Sequence, residues 1–248
     1  MIGPLRADDN VRAVQSKLRD DGFYFGEIDG AYSSALAAAL TRYQIRNGLP
    51  ITGQLDIDTS KALGAKPAVT KPAGEESTQT SETWRRLRKH DKQVLAKASP
   101  PPKPTTQQVD SPPSAGPAAN AAGDDMSTER LRDYVAAFVL AGLDPQVGAE
   151  TDFFAKRVQY YDDGVIDREK IRKDLQRYDA RWPERKFWLA GDLKIERQSG
   201  DRWRVTFPLR FELRNGEKHS SGKVEKTIVL EPSGEDWQIV AVNERAQN

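Results

Sequence analysis

The chain has 248 residues, a formal net charge of +1 and no cysteine. Near-neutrality removes any global attraction to nucleic acid or another polyanion, so electrostatic binding has to come from a local patch. The missing cysteines exclude disulfides, thiol nucleophiles and Cys-based zinc sites together, and no stretch approaches the roughly 20 apolar residues of a membrane span.

Nine of the fifteen prolines fall between Ala65 and Met126, where Trp84 is the lone aromatic, so a core continuous across this region is not expected. Two globular parts on a linker follow: residues 1–64, a linker over 65–125, and residues 126–248. In the first part Asp8, Asp9 or Asn10 caps a helix carrying Val11, Val14 and Leu18 on one face, and Gly22 stops it. A loop follows, with Gly22, Gly26 and Gly30 around Phe23, Tyr24, Phe25 and Asp29. Ser33 or Ser34 then starts a second helix with Leu36, Leu40 and Tyr43. A second glycine-bearing loop runs from Asn47 to Gly53, and Asp56 opens a third helix that ends at Gly64. The two halves read as degenerate copies of one loop-then-helix unit, paired to build a core near the lower size limit of independent stability.

Read together, V-x-x-V-Q-x-x-L-x-x-x-G-x-x-x-G-x-I-D-G, A-L-x-x-Y-Q and G-L-x-x-T-G-x-L-D-x-x-T-x-x-x-L resemble the three-helix peptidoglycan-binding domain of bacterial wall proteins. The family's usual aromatic-Gly-x-x-Thr turn is replaced here by Tyr32-Ser33-Ser34-Ala35-Leu36. The resemblance implies a small all-α domain with a non-catalytic, metal-free and cofactor-free site. Its candidate ligand residues are Tyr24, Asp29, Tyr32, Tyr43 and Gln44. Tyr24 is expected flat at the surface against a sugar face. Asp29 suits a turn or helix-capping carboxylate better than a ligand contact, and Gln15 and Gln44 suit loop backbone at least as well as muropeptide. Peptidoglycan as partner implies a periplasmic or extracytoplasmic protein. MIGPLRADDN lacks the apolar run of a secretory signal, so the sequence is expected to begin downstream of its true signal.

Residues 65–125 read as a disordered, Pro-rich linker with a short amphipathic helix over 82–97. Trp84, Leu87, Val94 and Leu95 form one stripe of that helix, opposite basic residues. Three readings stay open for its basic face: a solvated helix, attraction of Arg85, Arg86, Arg88, Lys89 and Lys92 to an anionic wall polymer or membrane surface, and sequence-independent contact with nucleic acid. No motif for specific nucleic-acid reading accompanies it.

From Ser127 onward, Leu131, Tyr134, Val135, Phe138 and Val139 predict a helix that stops at Gly142. Phe154, Val158 and Tyr161 predict a second helix, ended by Gly164. Asp167 caps a third, whose Ile171, Leu175, Tyr178 and Trp182 share a face up to Pro183. The period then switches to two. Phe187 to Ile195, Trp203 to Leu213, Val224 to Leu230 and Trp237 to Val242 predict a four-strand antiparallel meander, with Asn215-Gly216 as a hairpin turn. Helices closing one face of a curved antiparallel sheet make an α+β domain, and the pattern resembles the NTF2-like (cystatin-like, SnoaL-like) cone. The inward strand positions read as apolar and His219 as exposed. Asp174, Asp179 and Asp192 are conceivable acids, and none receives a catalytic assignment. The expected function is peptidoglycan binding by the first unit, with the cone presenting a ligand- or protein-binding surface and a homodimer formed through its sheet. The alternative is an enzyme, a wall hydrolase or a cone-fold isomerase, with its active site in the cone.

Overall fold

The computed structural model describes residues 9–67, 73–89, 121–146 and 148–247, apart from side chains at 73–78 and 121–127. Three helices build the amino-terminal unit: α1 (Asp9–Asp20), α2 (Ser34–Arg46) and α3 (Ile57–Leu63). Ser33 accepts the amide N–H of Leu36 and Asp56 that of Thr59, so a side-chain oxygen satisfies an otherwise orphaned donor at the start of α2 and α3. Val11, Val14 and Leu18 of α1 pack with Leu36, Leu40 and Tyr43 of α2 in a small core closed by Leu55 and Leu63.

The carboxy-terminal unit is a seven-stranded sheet with helices packed against one face. Along the sheet the order is β2 (Val165–Asp167), β1 (Phe154–Tyr160), β7 (Asp236–Ala246), β6 (Lys218–Ser233), β5 (Trp203–Asn215) and β3 (Glu184–Leu189), while β4 (Lys194–Arg197) also pairs with β5. The long helix α5 (Ala121–Ala141) supplies Leu131, Tyr134, Val135 and Phe138 to the core, and α6 (Arg168–Arg181) supplies Ile171. The long β5–β6 hairpin turns where Asn215-Gly216 predicts it. Along the outer face of β5 run Arg204, Thr206, Pro208, Arg210, Glu212 and Arg214.

Two expected elements are corrected. Phe154 to Tyr160 is a strand, and it pairs parallel with β7, so the sheet is mixed and larger than a four-strand meander. The register slips between Phe154 and Gln159. Phe154 and Val158 are buried with exposed Lys156 and Arg157 between them, so the apolar positions fall four residues apart, a spacing that imitates a helix face. The first meander strand is also two strands, β3 and β4, separated by Ala190–Leu193.

Residues 73–89, inside the stretch read as linker, form a helix, α4 (Ala73–Lys89), packed against both α2 and α5. Trp84 is 2 % exposed and joins Leu87 in the larger core. Its indole N–H donates to Asp144 at 2.7 Å, and its ring lies 5.5 Å from that of Phe153. The two units meet directly as well. Arg42 of α2 forms a two-pronged pair with Asp133 of α5, with contacts of 2.7 to 3.0 Å, and the Ile51 amide donates to the carbonyl of Phe187 at 2.8 Å. Ile51 thereby occupies one carbonyl on the edge of β3 that faces away from β5. Lys92, Val94, Leu95 and His90 lie outside the described residues.

Candidate functional site

The two glycine loops of the amino-terminal unit are each built around one buried glutamine. Gln15 accepts the Gly30 amide at 2.8 Å and donates to Asp29 at 2.7 Å, to the Ala31 carbonyl at 3.1 Å and to the Tyr24 hydroxyl at 3.3 Å. Gln44 accepts the amides of Thr52 and Gly53 at 3.0 and 2.9 Å, and donates to the Gln54 carbonyl and to the hydroxyls of Thr52 and Thr59. The same device thus holds both halves of the degenerate repeat, and an amide that both donates and accepts is what a turn with both kinds of unpaired backbone group requires. Gly53 has φ +66°, a conformation that β-carbon-bearing residues rarely adopt. Tyr32 ties the loops together: its hydroxyl donates to Gly53 O at 3.0 Å and accepts the Leu55 amide at 3.1 Å.

The expected site residues are therefore distributed differently from the sequence reading. Tyr24 is not a surface platform. It is 3 % exposed, and its hydroxyl donates to the Glu27 carbonyl at 2.7 Å. The fold tucks the ring over Gly26, where an added β-carbon would stand 2.5 Å from the phenol oxygen. Tyr43 is buried edge-on against Phe23, and Gln44 has no accessible surface. Asp29 and Tyr32 are the two candidates with surface to offer a ligand. Asp29 accepts the Ala31 amide and the Gln15 side chain, and these hydrogen bonds hold its carboxyl below the usual carboxylate range. Gln79 of α4 donates to the Tyr32 carbonyl, so α4 borders this surface.

The basic face of α4 is partly spent inside the protein. Arg88 pairs with Asp236 at 2.7 Å, donates to the Asp152 carbonyl and lies 4.5 Å over the Phe153 ring. Arg85 stacks on Trp84 at 4.6 Å.

A second site lies in the cone, as a cavity of about 340 Å³ between the sheet and α5 and α6. Phe138, Phe154, Phe187 and Phe211 make most of it apolar, and it also holds Glu150, Asp174, Lys226 and Glu244. The Lys226 ammonium donates to the Tyr161 hydroxyl at 3.3 Å and faces Glu244 at 3.3 Å. Burial disfavours that charge, but Tyr161 and Glu244 outweigh it and hold the proton more tightly than in an ordinary lysine. Tyr161 itself adopts φ +45°, a strained conformation for a non-glycine residue at the cavity wall. Asp174 accepts the Tyr160 hydroxyl at 2.9 Å; burial pushes the Tyr160 phenol far above the ordinary tyrosine range. Glu150 stands beside Gly142, and burial raises its carboxyl from 4.5 to about 7, with a smaller upward push from Asp179 and opposition from Arg185 and Lys226. The cavity thus places a carboxyl that titrates near neutrality, Glu150, and a firmly held ammonium, Lys226, beside apolar walls.

Of the acids weighed from sequence, Asp174 lines the cavity, Asp179 is buried in a pair with Arg185, and Asp192 is 99 % exposed. Glu150, Lys226 and Glu244 were missed. Lys226 and Glu244 had a signal, because each sits two residues from an inward apolar position, Val224 and Val242, on a strand of period two. Glu150 had none, since it lies in a 3-10 turn, Ala149–Phe153, with no periodic pattern.

Comparison with known proteins separates the two units. The carboxy-terminal half is similar to an NTF2-like superfamily protein from Salmonella enterica (TM-score 0.40, 16% identity, 52% of this chain and 94% of that one). It is also similar to an NTF2-like protein with a cystatin-like fold from Novosphingobium aromaticivorans (TM-score 0.41, 12% identity, 52% and 87%). The chain is 40% identical over 60 residues to the localization factor PodJL of Caulobacter vibrioides, a match that takes in 24% of this chain and 6% of that relative. The chain thus spans only a small fraction of the curated relatives it matches. Residues 7–63, which contain both glutamine-centred loops, match the family described as "Putative peptidoglycan binding domain".

Proposed function

We propose that this is a non-catalytic envelope protein, periplasmic or extracytoplasmic, that holds peptidoglycan through the loop surface of its first unit and presents the cone as a ligand-binding domain. The match of residues 7–63 to a peptidoglycan-binding family carries the reading. The geometry supports it: Gln15, Gln44 and Tyr32 fix the backbone of both loops before any ligand arrives, which lowers the ordering cost of binding. Asp29, exposed and held as a carboxylate, then offers an acceptor to the hydroxyls and amides of a saccharide-peptide. The cone cavity suits a small, largely apolar molecule with one polar group directed at Lys226 or Glu150.

A second reading, proton-transfer catalysis in the cone, is favoured by one observation: a carboxyl poised near neutrality, Glu150, shares the cavity with Lys226. The first reading predicts that the full chain co-sediments with purified insoluble sacculi and that Asp29→Ala reduces the retained fraction severalfold while still unfolding cooperatively, at a midpoint lowered by the loss of the hydrogen bonds from Gln15 and the Ala31 amide. A full chain that stays in the supernatant over all sacculus concentrations contradicts it.

A further inference from the structure

Where the two units meet there is an open groove of about 450 Å³, with one wall from the amino-terminal unit and the other from the cone. Three guanidiniums reach it from three elements: Arg46 at the end of α2, Arg132 of α5 and Arg210 of β5. Among the described residues the groove wall carries one acid, Asp192, whose carboxylate stands 3.9 Å from Arg132.

Each arginine is held from outside the groove wall. Glu129 receives one N–H from Arg46 and one from Arg132, the latter at 2.8 Å. Glu212 receives one N–H from Arg210 at 2.8 Å, and the Arg210 guanidinium lies 4.1 Å over the Trp188 ring. A guanidinium has five N–H donors in a rigid fork, so one bond to a supporting acid leaves most of the fork available. Stacking and the supporting acid fix its plane, which is the arrangement that favours two-pronged capture of a carboxylate.

The geometry points to this groove as a binding site for the carboxylates of a peptide-bearing wall polymer, a site that uses both units and that neither has alone. The inference rests on the wall-binding reading and adds to it the chemistry recognised: free carboxyl groups on stem peptides, read by Arg46, Arg132 and Arg210. It also gives the rigid contact between the units a purpose. The Arg42–Asp133 pair and the Ile51–Phe187 hydrogen bond hold the two walls at a fixed separation.

The test uses the full chain and two preparations of the same sacculi, one untreated and one with its carboxyl groups converted to amides by carbodiimide and ammonia. The wild type is expected to bind untreated sacculi about tenfold more tightly than amidated ones, the scale of losing a charge-assisted pair. Arg46→Gln with Arg210→Gln should abolish that difference. Arg157→Gln with Arg245→Gln, which removes two exposed charges elsewhere on the cone, should keep it. Circular dichroism melts establish that both double variants fold. Equal wild-type binding to both preparations overturns the groove while leaving the loop-based reading intact, and so does an equal loss in the two double variants. Absence of binding to either preparation overturns both.

Discussion

Replacing Trp84 with alanine lowers the free energy of unfolding by about 3–5 kcal/mol, the range for removing a large aromatic from a filled core. The indole is almost fully enclosed, touches the Phe153 ring and donates its N–H to Asp144. Ser81 also donates to Asp144, and Asp144 accepts the Gln146 amide, so this one carboxylate fastens α4 to the turn after α5. Trp84→Phe keeps most of the packing and removes only the N–H donor. It should cost about 1–2 kcal/mol, since Asp144 retains two partners. Urea titration followed by circular dichroism gives both values. Because α4 packs on α2 and α5 together, the wild type is expected to unfold in one transition and Trp84→Ala in two. A Trp84→Ala protein with an unchanged midpoint would mean that α4 is not seated in this core.

Glu150→Gln stabilises the protein at alkaline pH and leaves it unchanged in acid. The carboxyl is held near 7 in the folded protein against an ordinary value of 4.5, because burial penalises its charge. Between those two values the folded state binds more protons than the unfolded state, so stability falls as pH rises through this window. A shift of this size corresponds to on the order of 3 kcal/mol once the group is fully ionised. Glutamine has the shape and neutrality of the protonated acid, so the variant escapes the penalty. The difference between variant and wild type should be close to zero below pH 4.5 and reach its full value by about pH 8. The neighbouring charges, Asp179, Arg185 and Lys226, act on the Glu150 carboxylate and are already contained in its raised value, so they form part of the difference. A difference that is flat with pH would show that the Glu150 carboxyl is solvated in the folded protein.

The amino-terminal unit was legible because its landmarks are local. Glycines, a capping Ser33 and Asp56, and glutamines at fixed distances from each loop all act within about fifteen residues of chain. The fate of Tyr24 was not legible, since whether a loop aromatic turns in or out depends on Gly26 leaving room for the ring. The stripe Trp84 and Leu87 was visible in the sequence, but proline and charge around it gave the appearance of a solvated spacer. Its partners, Phe153 and Asp144, lie about sixty to seventy residues away and leave no trace in local composition. The strand β1 was hidden by the four-residue spacing of Phe154 and Val158, and its pairing with β7 is a contact across some eighty residues. Lys226 shows the converse case, a residue whose inward position follows from strand alternation and whose meaning appears only when Tyr161 and Glu244 are brought beside it.

The central claim, that the first unit holds the wall through its loop surface, is tested most directly by titrating the isotopically labelled full chain with a purified disaccharide-peptide fragment of peptidoglycan and following the backbone amides by NMR. The account predicts saturable shifts at residues 22–32 and 46–55, with the amides of β6 and β7 lining the cone unmoved. Shifts confined to the cone, or none at millimolar fragment, would contradict it.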